Sequence, residues 1–508
     1  MRKYKLLLVL LVSLSTISCD GWLDVKPQDE IDEKDLFATG DGYRHLLNGI
    51  YYGLSNSSLY GRELTWGIVD ALGQCFDFSN THSTNAGWLD KYGATGYEWE
   101  NYQLKPAIET MWENSYKMVA NCNNLIQNIA NEDPEKFYYK EREKSEIWGE
   151  ALALRAAIQL DMVRLFSASP AMSAERNNAY TPYISEYPSY VSKRLTADSC
   201  LSLIIQDLEV AQALLWKADS SSSFNVSTRF ENNSLEENLF VSYKRGYRLN
   251  YYAATAILAR ACLYAQKPEK AYMYAKKIID YQDKTNFFRF YDRTSYGDKK
   301  FYYDILWGLE SLDLIEYINA INDLTNPDSY YHYYIMVANV KDNYFQNDMT
   351  SSGSNDRRYK HWMTDCGDGE SFRFSKYEKY NDESYTQAKV SNYLVPMVRM
   401  SEVYYIAAEA IYKSNLEEAK EYLRRVKSGR GLRNSDASMQ DLEVADEEGF
   451  MSVLINDARR EWLGEGQTFF MYKRLGKGIP AANSSDGLIP IDAAHAIVPI
   501  PATETNLN

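Results

Sequence analysis

Two short stretches constrain the fold of this 508-residue chain more than any other feature. In one, Ala261 and Tyr264 precede Ala271 and Ala275; in the other, Ala408 and Tyr412 precede Ala419. Alanine at such positions lets two helices approach closely, which is the grammar of a degenerate tetratricopeptide-like helix pair. Ala271 and Ala419 lie 148 residues apart, against a repeat period of about 34, so the pairs are separated by long inserts and a simple solenoid is not expected. Further helical periodicity runs through Trp112, Tyr116, Val119 and Cys122 to Leu125, and through Leu152, Ala156, Gln159, Leu160 and Val163. Apolar residues three and four apart make one buried helix face. Helix pairs are expected there, at about 199–217 with 250–266 and then 268–281, and at 401–414 with 416–427. Ser401 and Glu402 read as a helix start, and Gly429 with Gly431 as the end of its partner. The fold class is mostly α, with inserts at 62–106, 167–198, 218–247 and 284–392 that exceed ordinary loop length.

The N-terminus reads as an address. Arg2, Lys3 and Lys5 precede the apolar run Leu6 to Leu14, and Ser15, Thr16 and Ser18 lead to Cys19. That order is an export signal over residues 1–18. Thr16-Ile17-Ser18-Cys19 resembles a bacterial lipoprotein box, with Thr16 where Leu is usual, so Cys19 is the expected site of lipid attachment. The membrane is then reached through acyl chains, each buried CH₂ contributing about 0.8 kcal/mol. Residues 19–35, acidic and interrupted by Pro27, suit an extended leash. Cys75, Cys122, Cys200, Cys262 and Cys366 follow, an odd set without a CxxC pair, and carry no disulfide framework. Cys122 and Cys262 read as buried small hydrophobes.

Charge narrows the function. Lys plus Arg number 55 against 70 Asp plus Glu, a net −15, and no basic run stands clear of neighbouring acids. A nucleic-acid partner needs clustered cations to displace counterions, so none is expected, and strongly acidic substrates are disfavoured. The five histidines, His45, His82, His332, His361 and His495, are isolated, and no zinc spacing is readable. Gly476-Lys477-Gly478 is too little for a phosphate loop. Asp365, Asp368 and Glu370 read as a solvated acidic turn rather than a calcium loop. No carboxylate pair is singled out for glycoside hydrolysis. Neither catalysis nor a cofactor is expected.

The inserts offer rings instead. Tyr numbers 43, against 18 Phe and 10 Trp, so most rings join an apolar face to a polar tip. Between Trp66 and Tyr102 lie Asp70, Asp77, Asn80, Trp88, Asp90, Tyr92, Tyr97 and Trp99. A sugar ring stacks its C–H face on an aromatic plane while carboxylates and amides take its hydroxyls. The expected ligand-binding residues are Asp77, Asn80, Trp88, Tyr92 and Trp99, with Trp307, beside Tyr302 and Tyr303, and Trp362 as further ring sources. The run Tyr330, Tyr331, Tyr333 and Tyr334 is another. The competing reading places such rings over a helical core: it is favoured for Trp66, and for Trp307, where Ile305 and Leu306 look like a core strand or helix edge.

Several motifs resemble one family. Val395-Pro396-Met397-Val398-Arg399-Met400-Ser401-Glu402, running into Tyr404 to Ala410, is similar to the hallmark segment of the SusD/RagB family of Bacteroidota outer-membrane nutrient-binding lipoproteins. So are Ala458-Arg459-Arg460-Glu461-Trp462-Leu463-Gly464-Glu465-Gly466 with Lys473 to Gly476, Trp22 to Pro27, Gly149 to Ala156, and Ala494 to Glu504. Thr468 and Met471 depart from the family's frequent Arg and Asp. The resemblance implies a SusD-like fold, with an N-terminal helical region over 36–240 and a C-terminal region over 241–508. It implies a cell-surface lipoprotein of the outer membrane that captures an oligosaccharide, or a peptide in the alternative reading, and passes it to a SusC-like TonB-dependent transporter. Two further readings stand beside it: a surface glycosidase, and a tetratricopeptide scaffold for protein partners only.

Overall fold

The structure, a computed structural model, describes residues 33–76, 97–189, 192–220, 229–230, 244–290, 297–321, 344–345, 348–350, 353–365, 372–482 and 487–505. Helices dominate. Leu104–Ala130 buries Leu104, Ile108, Met111, Trp112, Val119, Cys122, Leu125 and Ile129 on one face, as its spacing predicts. Lys140–Phe166 lies against it and is surrounded: every residue from Gly149 to Phe166 is buried. Gly149 is there because the Ala197–Asp219 helix comes so near; a Cβ would stand 2.8 Å from Leu215 Cγ and 3.2 Å from the Ala211 carbonyl oxygen. Each large apolar side chain so buried contributes about 1.5–3 kcal/mol.

Ala197–Asp219 is, among the described residues, the one helix long and apolar enough to cross a membrane by length and composition. It lies on the body of the fold as an amphipathic helix, burying one face and leaving Val210 and Trp216 exposed. It packs on Lys140–Phe166 and on Tyr251–Tyr264, and its Asp207 holds Arg155 in a two-pronged ion pair at 2.7 Å.

The tetratricopeptide-like pairs form where expected. Asn250 caps Tyr251–Tyr264, its Oδ1 accepting from the N–H groups of Tyr252 and Ala253, and satisfies donors that the first helical turn leaves over. Pro268 opens Pro268–Thr285, where a missing N–H costs nothing. Met400–Ile411 and Leu416–Gly429 make the second pair. In space the two pairs are neighbours: Pro268–Thr285 packs directly against Met400–Ile411. Residues 286–399 are therefore an excursion from a continuous stack of helices, which their sequence separation concealed.

The excursion returns as a strand. Ile305–Glu310 pairs antiparallel with Leu394–Arg399, with Trp307 opposite Val398 and Glu310 opposite Leu394. The reading of Ile305 and Leu306 as a core edge holds; both are buried. Among the described residues a main hydrophobic core runs from Phe37 to Val498, with smaller clusters around Tyr302 and Ile305 and around Met172 and Ile497. Of the expected inserts, 62–76 is no surface loop. Glu63 to Leu72 are all buried, and Trp66 donates its indole N–H to the Gly61 carbonyl at 2.9 Å.

Part of the tyrosine excess lies inside. Tyr43, Tyr60, Tyr274 and Tyr405 bury their rings and donate their hydroxyls to Glu132, Asp161, Glu209 and Asp457 at 2.6–2.8 Å. Phenols of this kind let a large ring reach the core without stranding a polar tip. Cys75, Cys122, Cys200 and Cys262 are free and buried, as the reading of Cys122 and Cys262 expects.

Candidate functional site

The motifs that carry the family resemblance converge on buried charge. Leu394–Arg399 delivers Arg399, whose Nε donates to Glu465 at 2.6 Å and whose Nη1 lies 3.2 Å from Asp304. The end of the Glu447–Glu461 helix supplies Asp457 and Glu461. Arg358 bridges them at 2.8 and 3.1 Å, Arg430 reaches Glu461 at 2.9 Å, and the Ser401 hydroxyl donates to Glu461 at 2.9 Å. Burial works to raise the carboxyl groups of Asp457 and Glu461, but the guanidinium groups of Arg358 and Arg430 beside them hold both below the usual carboxylate range. Lys376 donates to Glu465 at 2.6 Å, while burial pushes its ammonium down to about 8. Glu402 takes Arg260 at 2.6 Å.

The reading of Ser401 and Glu402 as a helix start holds, since both lie in the first turn of Met400–Ile411, and these partners add a second role. The helix begins at Met400 without a side-chain cap, and both residues serve the ionic web. A web so enclosed is costly to break, and it leaves these side chains turned inward rather than toward a ligand.

The expected ligand residues fall into three groups. Asp77, Asn80, Trp88 and Tyr92 lie outside the described residues, as do Cys19, Cys366 and Tyr330 to Tyr334. Trp99 is half-buried at an edge of the fold, its indole N–H donating to the Ala494 carbonyl at 2.8 Å. Tyr97 meets it edge-on at 5.7 Å and His495 at 5.0 Å, and the His495 ring is held by Asp492 at 2.7 Å. Tyr97 and Trp99 thus lie beside the C-terminal residues Asp492, Ala494 and His495.

Trp307 and Trp362 do not join this edge. Trp307 is 2% exposed on the inner side of its strand and Trp362 is 0% exposed, with Lys376 Nζ 3.8 Å above its ring. A ring with no open face cannot stack on a sugar, so both belong to the core. Asp70, once grouped with the ligand rings, is likewise buried and accepts backbone N–H groups from Gly464 and Gly466.

An open pocket of about 340 Å³ lies elsewhere, within the range of small-molecule sites. The Gly40–Leu54 helix and its cap present Asn48, Tyr51, Tyr52 and Ser55 to it, and Tyr247, Arg248, Glu310 and Leu312 face them. Sequence reasoning passed over these residues. Their signal was available: positions 48, 51, 52 and 55 share one helical face, and that face mixes an amide, two phenols and a hydroxyl where a core stripe would be aliphatic. Among the described residues no group of three His, Cys, Asp or Glu is placed to hold a metal ion.

The fold defines a class first: tetratricopeptide-like helix pairs with long excursions are the architecture of the SusD superfamily. A SusD superfamily structure from Bacteroides thetaiotaomicron matches with a TM-score of 0.65 at 21% identity, over 92% of this chain and 98% of that one. A SusD-like carbohydrate binding protein from Bacteroides vulgatus matches with a TM-score of 0.63 at 18% identity, over 92% and 96%. At the level of sequence, residues 21–234 match a family model described as "Starch-binding associating with outer membrane", and residues 326–488 match the model of the SusD family. The chain belongs to the SusD family. A SusD-like protein of Formosa agariphila is 22% identical over 215 residues, 42% of this chain but only 38% of that relative's length.

Proposed function

We propose that this protein is a lipid-anchored lipoprotein of the outer membrane that captures an oligosaccharide at the cell surface and hands it to a SusC-like TonB-dependent transporter. The single observation that carries the reading is the family match in both halves of the chain, one of whose descriptions joins starch binding to outer-membrane association. The export signal and Cys19 supply the anchor, and the acidic leash behind it the reach. Trp88 and Trp99, with Asp77, Asn80 and Tyr92, are the proposed ligand residues, because rings interleaved with amides and carboxylates suit a sugar's two kinds of surface. Affinity need not be high, since a capture protein held beside its transporter raises the local ligand concentration without new contacts. Binding, not turnover, is the proposed activity.

Calorimetric titration of the mature chain against neutral oligosaccharides tests the capture step. Saturable binding lost in Trp88→Ala is the expected result. Silence toward every sugar together with binding of a protein digest would move the ligand to peptides. Retention of a Cys19→Ser variant in the outer-membrane fraction would refute the lipid anchor.

A further inference from the structure

The pocket at Tyr52 shares no lining residue with the Trp99 edge. Its floor is held rigid by bonds beneath the surface. Tyr51 donates its hydroxyl to the buried carboxylate of Glu150 at 2.6 Å and accepts the Leu249 N–H at 2.8 Å. Arg248 is drawn to the same carboxylate at 3.1 Å, donates to Asn48 Oδ1 at 3.0 Å, and lies 5.3 Å from the Tyr51 ring centre. Across the pocket, Lys244 pairs with Glu310 at 2.8 Å. The rim is the opposite in character. Tyr52 is 71% exposed and Leu312 is 69% exposed, two large apolar groups left in water on either side of a preorganised polar floor.

We propose that this pocket is a second saccharide-binding site, distinct from the Trp99 edge, which takes a neutral sugar unit with its C–H face on the Tyr52 ring. Neutrality follows from the charges: the cations of the pocket are matched by Glu310 and Glu150, so no excess charge selects a uronate or a sulfated sugar. Hydroxyl recognition follows from the Asn48 amide and the Glu310 carboxylate, which offer donors and acceptors; Ser55 already donates to the Tyr52 carbonyl, and Arg248 serves Glu150 and Asn48. An exposed ring over a fixed polar floor suits an amphipathic ring better than an aliphatic chain.

The test is calorimetric titration of the full mature chain as Cys19→Ser. The neutral probes are maltoheptaose, xylohexaose and mannohexaose; tetragalacturonate and a tryptic casein digest are the comparators. At least one neutral probe is expected to bind a Trp88→Ala/Trp99→Ala variant, to bind it about tenfold or more weakly once Tyr52→Ala is added, and to recover with Tyr52→Phe. Both Tyr52 and Leu312 are exposed, so their replacement leaves the core intact. The proposal is overturned if Tyr52→Ala and Leu312→Ala leave every neutral isotherm unchanged, or if the Tyr52-dependent signal belongs only to tetragalacturonate or the digest. It is also overturned if no neutral probe binds the double Trp variant while the Cys19→Ser chain binds one; that outcome leaves the proposed function standing and removes only this second site.

Discussion

The carboxylate of Asp70 accepts the backbone N–H of Gly464 at 2.6 Å, and with its other oxygen that of Gly466 at 2.9 Å. One side chain from the first insert thereby fixes the turn that ends the Ala458–Gly466 motif, where both glycines have positive φ, at +82° and +67°. A Cβ on Gly466 would lie 2.3 Å from the Leu64 carbonyl oxygen, so the turn and the buried insert are built for each other.

Burial pushes the Asp70 carboxyl up to about 8, against the pull of the two amide donors and Lys376. A group whose folded value is raised contributes stability that is present below its unfolded value and is lost as pH rises through the folded one. The window here is about pH 4 to 8. Asp70→Asn removes that slope, so the stability of the variant relative to the unaltered protein is expected to improve as pH goes from 5 to 8. Urea unfolding of both proteins across this range checks it; parallel curves would refute the linkage.

Glu461→Gln takes one buried carboxylate from both Arg358 and Arg430, leaving Arg358 to Asp356 and Asp457 and Arg430 to Asp304. Removing one partner of a buried ion cluster costs about 3–5 kcal/mol, and a loss of that size is expected in denaturant unfolding at pH 7. Because Asp457 and Glu461 are held low, their stabilisation is present above about pH 4 and is lost as pH falls below it. The variant is therefore expected to lose less than the unaltered protein on acidification from pH 5 to pH 3.

Trp307 and Trp362 separate core from ligand. Each replacement by Ala is expected to destabilise the fold by about 3–5 kcal/mol and to leave sugar affinity unchanged in protein that remains folded. Trp88→Ala is expected to do the reverse. Thermal unfolding and calorimetric titration of the same three variants report both quantities, and a large affinity loss with intact stability in Trp362→Ala would return that residue to the binding site.

The described cysteines are expected to be inert. Burial pushes the thiols of Cys200 and Cys262 up to about 11 and that of Cys122 up to about 12, and only the thiolate reacts. In the Cys19→Ser protein, Cys75, Cys122, Cys200 and Cys262 should resist a disulfide reagent until denaturant is added. Mapping the labelled peptides by mass spectrometry checks this site by site.

Local pattern made much of the fold legible. Trp112, Val119 and Cys122 announce a buried face because three- and four-residue spacing is a property of any helix, whatever lies around it. Ala271, Ala275 and Ala419 announce close helix packing for the same reason, and the charged motif around Arg399 and Glu461 was recognisable as a string. The site was less legible. A tryptophan that stacks on a sugar and one that fills a core are the same residue in the sequence, and only the enclosure of Trp307 and Trp362 tells them apart. The pocket beside Tyr52 went unread because its walls come from three distant segments, although the helical face at Asn48, Tyr51, Tyr52 and Ser55 carried a trace of it.

From the sequence by itself came the helix pairs and the family, both of them written in short-range spacing or in the order of motifs. Tertiary structure alone decided that the stack continues across residues 286–399, that Asp70 and Trp66 face inward, and that the motif charges neutralise one another in the core. Those outcomes depend on which distant surfaces exclude water together, and burial is a property of the assembled chain rather than of any residue in it.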